Sequence, residues 1–213
     1  INVAGRIFFH LVENKDEEYP FAFLATYSTE NREAGAHKAK HMPLKNALLE
    51  YKDDKEKLLQ LMSTISKAAG ESDFISELME SGELFSPLKF TKKEAYTILR
   101  EIPIYERAGI MCRIPNWWKK KSNSLRLSVS IGDKRPSKVG MNELLSFNPE
   151  IFLGDEKISK DELEKLLSES EGLALIKGKW IEIDKNKLSE VLNAYEKAET
   201  LSNKEGLTIA EAM

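Results

Sequence analysis

The sequence predicts an α+β fold in which a mostly helical first half carries an N-terminal pair of strands. Two short segments rich in Ile, Phe and Ala lie near the N-terminus, and apolar residues recur at helical spacing from Pro43 onward. After residue 112, alternating and helical patterns follow one another, which predicts a mixed second half with a small antiparallel sheet and a β-hairpin. With 213 residues, the chain is long enough to bury a sizeable hydrophobic core.

The first predicted elements are two strands, over residues 5–12 and 21–27, and the polar segment between them favours an antiparallel pair. Residues 28–40 are polar and typical of a loop. Apolar residues at helical spacing then predict helices over residues 44–51 and 58–65. The first half is therefore expected to combine one strand pair with several helices.

Capping residues mark the next two helices. Asp73 is a candidate N-cap for a helix that ends at Gly82, since glycine readily adopts the left-handed conformation at a helix C-terminus. Thr91 and Glu94 match a capping box, in which each side chain bonds the backbone N–H of the other residue. The helix that begins there is predicted to end before Pro103 and to be followed by a separate short helical turn.

The second half mixes strands and helices. Residues 125–131 alternate between apolar and polar types, which predicts a half-buried strand. A short helix over residues 140–147 and a short strand over residues 150–153 are expected next. The remaining predicted elements are a helix after Ser159, which with Glu162 fits a capping signature, a hairpin over residues 173–183 that turns at Lys177 and Gly178, and a helix over residues 185–198.

Charge divides the chain unevenly. The formal net charge is −3, from 32 basic and 35 acidic residues. Residues 113–138 contain eight basic residues and one acidic residue, a local charge of +7, which leaves −10 for the remainder. The change from mainly helical to mixed patterning near residue 112 predicts a mainly helical subdomain with the strand pair over residues 1–112, and an α+β subdomain that begins with this basic segment over residues 113–213.

The sequence does not indicate a membrane span, a disulfide, a nucleophilic cysteine, a phosphate-binding loop or a metal site. The longest apolar run, residues 21–27, is far shorter than the roughly 20 residues that span a membrane. Cys112 is the single cysteine, which excludes an intramolecular disulfide, and its apolar neighbours favour a buried thiol over a nucleophile. Residues 172–179 depart from the spacing of a phosphate-binding loop. His37 and His41 have the spacing of two metal ligands on a helix, but no third ligand is nearby in sequence, so no metal is expected.

The most distinctive local feature is the aromatic and basic segment over residues 114–121. Two tryptophans beside three lysines, followed by an arginine on the polar face of a predicted strand, could stack on bases and neutralise phosphates. The alternative is that the tryptophans fix a joint between subdomains and the lysines stay in solvent. The candidate nucleic-acid-binding residues are Trp117, Trp118, Lys119, Lys120, Lys121, Arg126, Lys134 and Arg135.

A series of short segments along the whole chain is similar to a known family. The matching segments are residues 20–27, 41–44, 80–88, 94–96 with 102–103, 108–110, 113–118, 127–132, 144–147, 153–156, 171–173, 178–184 and 207–212. In this order, they resemble the helicase-associated domain that precedes the motor of bacterial SWI/SNF-type helicases. No single segment would be specific, but the ordered series is.

The resemblance implies an accessory domain of a longer protein. No convergent set of acid, base and nucleophile is visible in the sequence, so we expect the domain to be non-catalytic, and the single cysteine fits a cytoplasmic protein. An ATPase motor that moves on DNA is expected beyond residue 213, so ATP and magnesium are expected only there, with no cofactor in this fragment. We expect an interaction or regulatory module whose partner is the motor of the same polypeptide, with DNA and other proteins as further partners and no membrane. The alternative function is a DNA-binding module that uses the basic tryptophan and lysine segment.

Overall fold

The computed structural model describes residues 5–29, 40–120, 125–134, 144–169 and 172–203. The chain forms two compact units, over residues 1–119 and 120–213. Both units combine helices and strands, so the predicted α+β class is confirmed. The sequence-based division after Cys112 stays a prediction about which segments fold independently.

The first unit is built around one mixed five-stranded sheet. Its strands are β1 (Ile7–Glu13), β2 (Phe21–Thr29), β3 (Lys40–Pro43), β4 (Leu88–Phe90) and β5 (Met111–Arg113). The order is β3-β2-β1-β5, and β4 also pairs with β2. The predicted antiparallel strand pair is confirmed as β1 and β2, whereas the pairing of β1 with β5 is parallel.

Helices cover one face of this sheet. They are α1 (Lys45–Glu50), α2 (Lys55–Glu71), α3 (Asp73–Ser81), α4 (Lys92–Ala108) and α5 (Asn116–Lys120), with a 3₁₀ turn over Glu83–Phe85. Alternate strand residues turn their side chains to opposite faces, and the buried set in β1 is Ile7, Phe9 and Leu11. Aromatic side chains of the helices contact this buried face. For example, the ring centroid of Tyr105 in α4 lies 5.1 Å from that of Phe9.

Local capping chemistry sets most helix ends. The Thr91 hydroxyl accepts a hydrogen bond from the Glu94 N–H, and the Glu94 carboxylate accepts one from the Thr91 N–H, so the predicted capping box is confirmed. Gly82 ends α3 in the left-handed conformation, as predicted. The N-cap of α3 is Ser72 rather than Asp73, because the Ser72 side chain accepts from the Ile75 N–H at 3.0 Å.

The prediction that a helix stops before Pro103 was wrong. α4 continues through the proline to Ala108 and ends at Gly109, which has a φ of 95°. Proline inside a helix costs about 3 kcal/mol. This cost is offset because the continued helix buries Tyr105 completely and lets its hydroxyl donate to Glu101 Oε2 at 2.7 Å, across the proline.

The second unit contains two antiparallel sheets and two helices. Its elements are β6 (Leu125–Lys134), β7 (Leu144–Leu153), β8 (Glu156–Ile158), α6 (Lys160–Ser168), β9 (Gly172–Ile176), β10 (Lys179–Ile183) and α7 (Lys185–Asn203). The sheet orders are β6-β7-β8 and β10-β9, and α7 packs against β6, β7 and α6. The core members are Ile151, Leu153, Ile158, Leu163, Leu166, Ala174, Ile176, Ile181, Ile183, Leu188 and Val191.

Two predictions for the second unit have opposite outcomes. The β9–β10 hairpin is confirmed, and Lys177 and Gly178 have φ values of 47° and 76°, as a tight two-residue hairpin turn requires. The helix predicted over residues 140–147 was wrong for its described part, because β7 begins at Leu144 and pairs with all of β6. Residues 140–143 lie outside the described residues.

None of the described helices is long and apolar enough to cross a membrane.

Candidate nucleic-acid interface

The predicted tryptophan segment forms the short helix α5 of the first unit. Trp117 is half-buried, and its indole Nε1 donates a hydrogen bond to Glu13 Oε1 at 2.9 Å. The centroid of its ring lies 6.4 Å from that of Phe21 and 6.2 Å from that of Trp118. The indole is therefore held against the ends of β1 and β2, and its N–H is already bonded to a carboxylate.

The second indole packs on a helix. Trp118 is half-buried and lies edge-on to Tyr96 of α4, with ring centroids 6.3 Å apart. The guanidinium of Arg100 lies 5.5 Å from the centroid of the same tyrosine ring. The two indoles thus fasten α5 to the sheet and to α4, and the Glu13 carboxylate beside Trp117 repels an approaching phosphate. This packing anchors α5 within the first unit, and the nucleic-acid-binding role of the segment stays a prediction.

The other predicted site residues are distributed over the chain. Lys119 is exposed near the end of α5. Arg126 lies in β6, where its guanidinium is 4.8 Å from the centroid of the Phe152 ring and its Nε donates to the Gly154 carbonyl at 3.4 Å. Of the remaining residues, Lys120 ends α5, Lys134 ends β6, and Lys121 and Arg135 lie outside the described residues. Among the described residues, Trp117, Trp118, Lys119 and Lys120 therefore come together on α5, and Arg126 and Lys134 share β6.

A second surface, which was not predicted from the sequence, is the face of the first sheet opposite to the buried one. Residues that are direct ladder partners share a face of a sheet. The pairs Phe8↔Thr26, Ser28↔His41 and His10↔Arg113 therefore place two histidines, a phenylalanine and an arginine on the same face. We call this surface the open face; its described members are Phe8, His10, Val12, Ala22, Leu24, Thr26, Ser28, His41, Pro43, Lys89, Met111 and Arg113.

Most side chains of the open face are half-buried or exposed. Thr26 is the one buried member, whereas Val12 is 55% exposed and Met111 is 44% exposed. A signal for this surface exists in β1, where Phe8 and His10 alternate with the buried residues of the other face. The strand itself was predicted from the sequence, whereas its second face was not predicted as a site.

Three rings lie close together at the centre of the open face. The His41 ring centroid is 4.6 Å from that of Phe8 and 5.5 Å from that of His10, and both pairs are edge-on. Phe8 and His10 lie 6.1 Å apart at an interplanar angle of 27°. The Thr26 hydroxyl lies between the imidazoles, 2.8 Å from His10 Nε2 and 3.5 Å from His41 Nδ1. This bridge holds the rings in fixed positions.

The charged side chains among the described members of the open face are cationic. The Arg113 guanidinium lies 5.1 Å from the centroid of the Phe8 ring, and no described residue forms a salt bridge with it. Burial, the neighbouring His41 and Arg113 lower the pKa of His10; burial and Arg113 lower the pKa of His41. Both imidazoles are therefore neutral at pH 7, and no Asp or Glu occurs among the described residues of this face.

The remaining chemical groups of interest in the first unit are Cys112 and the histidines as possible metal ligands. Cys112 is half-buried, and burial raises the pKa of its thiol to about 12, so it stays protonated at neutral pH. Within the described ranges, no three His, Cys, Asp or Glu side chains are grouped so that they could hold a metal ion. His37, which was considered with His41, lies outside those ranges.

Comparison with known proteins places the chain in a family. The model of a family described as "SNF2 Helicase protein" matches residues 83–213, which is more than half of the chain. A curated protein of Bacillus subtilis (strain 168), named "Putative ATP-dependent helicase/translocase YwqA", is 31% identical over 108 residues. The match covers 49% of this chain and only 11% of the length of YwqA. No solved structure matches the chain.

The resemblance to the helicase-associated region of SWI/SNF-type helicases is confirmed by the family match and by the relative. Most of the segments that carried it, such as residues 113–118 and 178–184, lie within the range that the family model covers, whereas residues 20–27 and 41–44 lie outside it. The chain belongs to the SNF2 helicase protein family.

Proposed function

We propose that this chain is a non-catalytic accessory region of an ATP-dependent DNA helicase or translocase, and that it acts as an interaction module for the motor of the same polypeptide. The family match and the named activity of YwqA support the kind of motor. The small share of YwqA that the match covers leaves most of that protein for other parts, among which we place the motor.

The open face supports a further interaction role for the first unit, separate from the motor contact. Its opposite side is packed on helices, whereas Val12, Met111 and the three rings remain accessible to another molecule. Apolar and aromatic groups that stay accessible beside cations are typical of binding surfaces. The chemistry of this face is that of recognition, since its imidazoles are neutral and engaged in the Thr26 bridge.

Charge suggests how the motor would be contacted. Residues 139–213 contain 9 lysines and 16 acidic residues. An acidic surface is complementary to the basic surfaces with which DNA-dependent motors hold phosphates, and such complementarity sets orientation and association rate. We therefore assign motor contact to the second unit, where Glu164 on α6 and Glu190 on α7 are exposed.

The test is titration calorimetry of this chain with the separately produced motor at low and physiological salt. We expect binding that weakens with salt and becomes about tenfold weaker with Glu164→Lys and Glu190→Lys together, because two attractive charges become repulsive. The matched control is Glu77→Lys with Glu80→Lys, two exposed acids on α3 of the first unit. Absence of binding, or equal loss with both pairs, would contradict the proposal.

The basic segment carries a second candidate function, DNA contact through Lys119, Lys120 and Lys121. The observation in its favour is that Lys119 is exposed beside two half-buried indoles. Replacement of all three lysines by glutamate would abolish DNA binding if this segment is the contact, and would leave the free energy of unfolding nearly unchanged. Fluorescence anisotropy with labelled DNA measures the first effect, and urea unfolding the second.

A further inference from the structure

We propose that the open face of the first sheet binds single-stranded DNA, with bases stacked on its rings and a phosphate held by Arg113. The inference gives the proposed interaction module a ligand. It rests on the proposed function only in that the bound single strand is taken to be DNA and not RNA. It concerns a different surface from the lysine segment of α5. Four observations carry it: the ring cluster, the placement of Arg113, the lack of acids and the surrounding apolar groups.

The ring cluster supplies the stacking groups. Phe8, His10 and His41 are half-buried rather than buried, so parts of the rings are accessible. Aromatic rings on one face of a sheet are a general means of holding two or three unstacked bases. The sheet and the Thr26 bridge fix the ring positions before any ligand arrives, so little side-chain entropy is lost on binding.

Arg113 supplies the charge. Its guanidinium lies over the Phe8 ring, 5.1 Å from the ring centroid, and a guanidinium group can both stack on a base and donate N–H groups to a phosphate. Within the part of the chain that the structure describes, it forms no salt bridge that a phosphate would have to break. Lys89 lies on the same face in β4, although it also interacts with Asp16 of the β1–β2 loop.

Single-stranded DNA fits these groups better than the other polyanions. In a duplex, the base faces are stacked within the helix and cannot reach half-buried rings on a sheet. A run of acidic residues offers charge but no rings to stack on Phe8, His10 and His41. Exposed Val12 and Met111 add apolar area beside the rings, which suits the faces and sugars of unpaired nucleotides.

The experiment is fluorescence anisotropy of the 213-residue chain with a labelled oligothymidylate of about 15 nucleotides, titrated at several salt concentrations. We expect Phe8→Leu to raise Kd about tenfold and to leave the salt dependence unchanged, because it removes a ring but no charge. We expect Arg113→Gln to raise Kd and to reduce the slope of log K against log salt by about 0.7, as one lost phosphate contact predicts for a single strand.

The matched control is Arg107→Gln, which removes an exposed arginine from α4, a helix on the other side of the sheet. It should leave both Kd and the slope as in the unchanged chain. The proposal is overturned if the chain does not bind oligothymidylate at low salt, or if Phe8→Leu and Arg113→Gln bind as the unchanged chain does. Tighter binding to a duplex, to an RNA strand or to polyglutamate would also overturn it.

Two further measurements distinguish a loss of binding from a loss of folding and separate the two candidate surfaces. Urea unfolding of each variant shows whether it folds, and Arg113→Gln, which changes an exposed side chain, decides the matter if Phe8→Leu does not fold. Anisotropy with the Lys119, Lys120 and Lys121 variant separates this surface from the α5 segment. Because the assay contains no motor, failure here leaves the proposed motor contact standing, and failure of the motor titration leaves this proposal standing.

Discussion

Gly5 shows how little space separates the ends of the first two strands. A Cβ added to Gly5 would lie 1.8 Å from the Ser28 carbonyl oxygen, a backbone atom that cannot rotate away. The neighbouring Arg6 carbonyl accepts a hydrogen bond from the Ser28 N–H at 2.9 Å, which holds the two segments at this distance. The residue is required for a close approach of two backbones.

We predict that Gly5→Ala lowers the free energy of unfolding by about 2 kcal/mol or more, since the strands must separate to admit one methyl group. The matched control is Gly70→Ala in α2, where an added Cβ meets nothing within 4 Å. That change should raise stability by about 0.5–1 kcal/mol through helix propensity. Urea unfolding measures both, and equal effects of the same sign would contradict the account.

His10 and His41 make a pH-dependent contribution to stability. Burial and the nearby positive charge lower the pKa of each imidazole below its ordinary value of 6.5 in the folded chain. Below about pH 6.5 the unfolded chain therefore binds more protons than the folded chain, and stability is lost as the pH falls through the folded pKa values.

We predict that the free energy of unfolding falls between pH 7 and pH 5, and that His10→Gln with His41→Gln makes this decrease smaller. Glutamine keeps a polar group near Thr26 but does not titrate. Denaturant unfolding at a series of pH values measures the effect. An unchanged pH dependence in the double variant would show that other groups cause it.

At the scale of elements, a partly buried polar network joins α3 to α4. Ser72 Oγ donates to Glu101 Oε2 at 2.5 Å, and the hydroxyl of Tyr105 donates to the same oxygen at 2.7 Å. Ser72 is 1% exposed and Tyr105 is fully buried, so neither hydroxyl can turn to solvent. Burial and Glu101 both raise the pKa of Tyr105, which keeps its hydroxyl protonated as the donor.

We predict that Glu101→Ala lowers the free energy of unfolding by about 2–3 kcal/mol, because it leaves two buried hydroxyls without an acceptor. Glu106→Ala, at an exposed position of the same helix, should change it by less than about 0.5 kcal/mol. Urea unfolding of both variants is the measurement. A loss of similar size in the two variants would argue against the network.

Local signals predicted elements well, and long-range pairing was the main source of error. The Thr91–Glu94 capping box and the Lys177–Gly178 turn depend on neighbouring residues, so the sequence was sufficient for both. The first residues of β7 have helix-like spacing, but their partners are residues of β6. Pairing with a distant strand cannot be predicted from the spacing of apolar residues within one segment, because tertiary contacts override local secondary-structure propensity.

At the scale of the whole molecule, the candidate site likewise depends on long-range contacts that local sequence signals do not reveal. Trp117 and Trp118 were conspicuous in the sequence, yet their hydrogen bond and ring contacts with Glu13 and Tyr96 are contacts between distant segments. The open face depends on Arg113 being placed beside His10 by the parallel pairing of β1 and β5. Composition identifies such residues, but only the strand register shows which of them share a surface.

The central proposal is that this chain is an accessory region that binds the ATP-dependent motor of the same polypeptide and thereby changes its ATPase rate. The most direct test is the ATPase rate of the separately produced motor, with and without DNA, as this chain is added. The account predicts a saturable change in the rate that weakens with Glu164→Lys and Glu190→Lys together and persists with Glu77→Lys and Glu80→Lys together. A rate that stays constant through a saturating titration, with and without DNA, would contradict the claim.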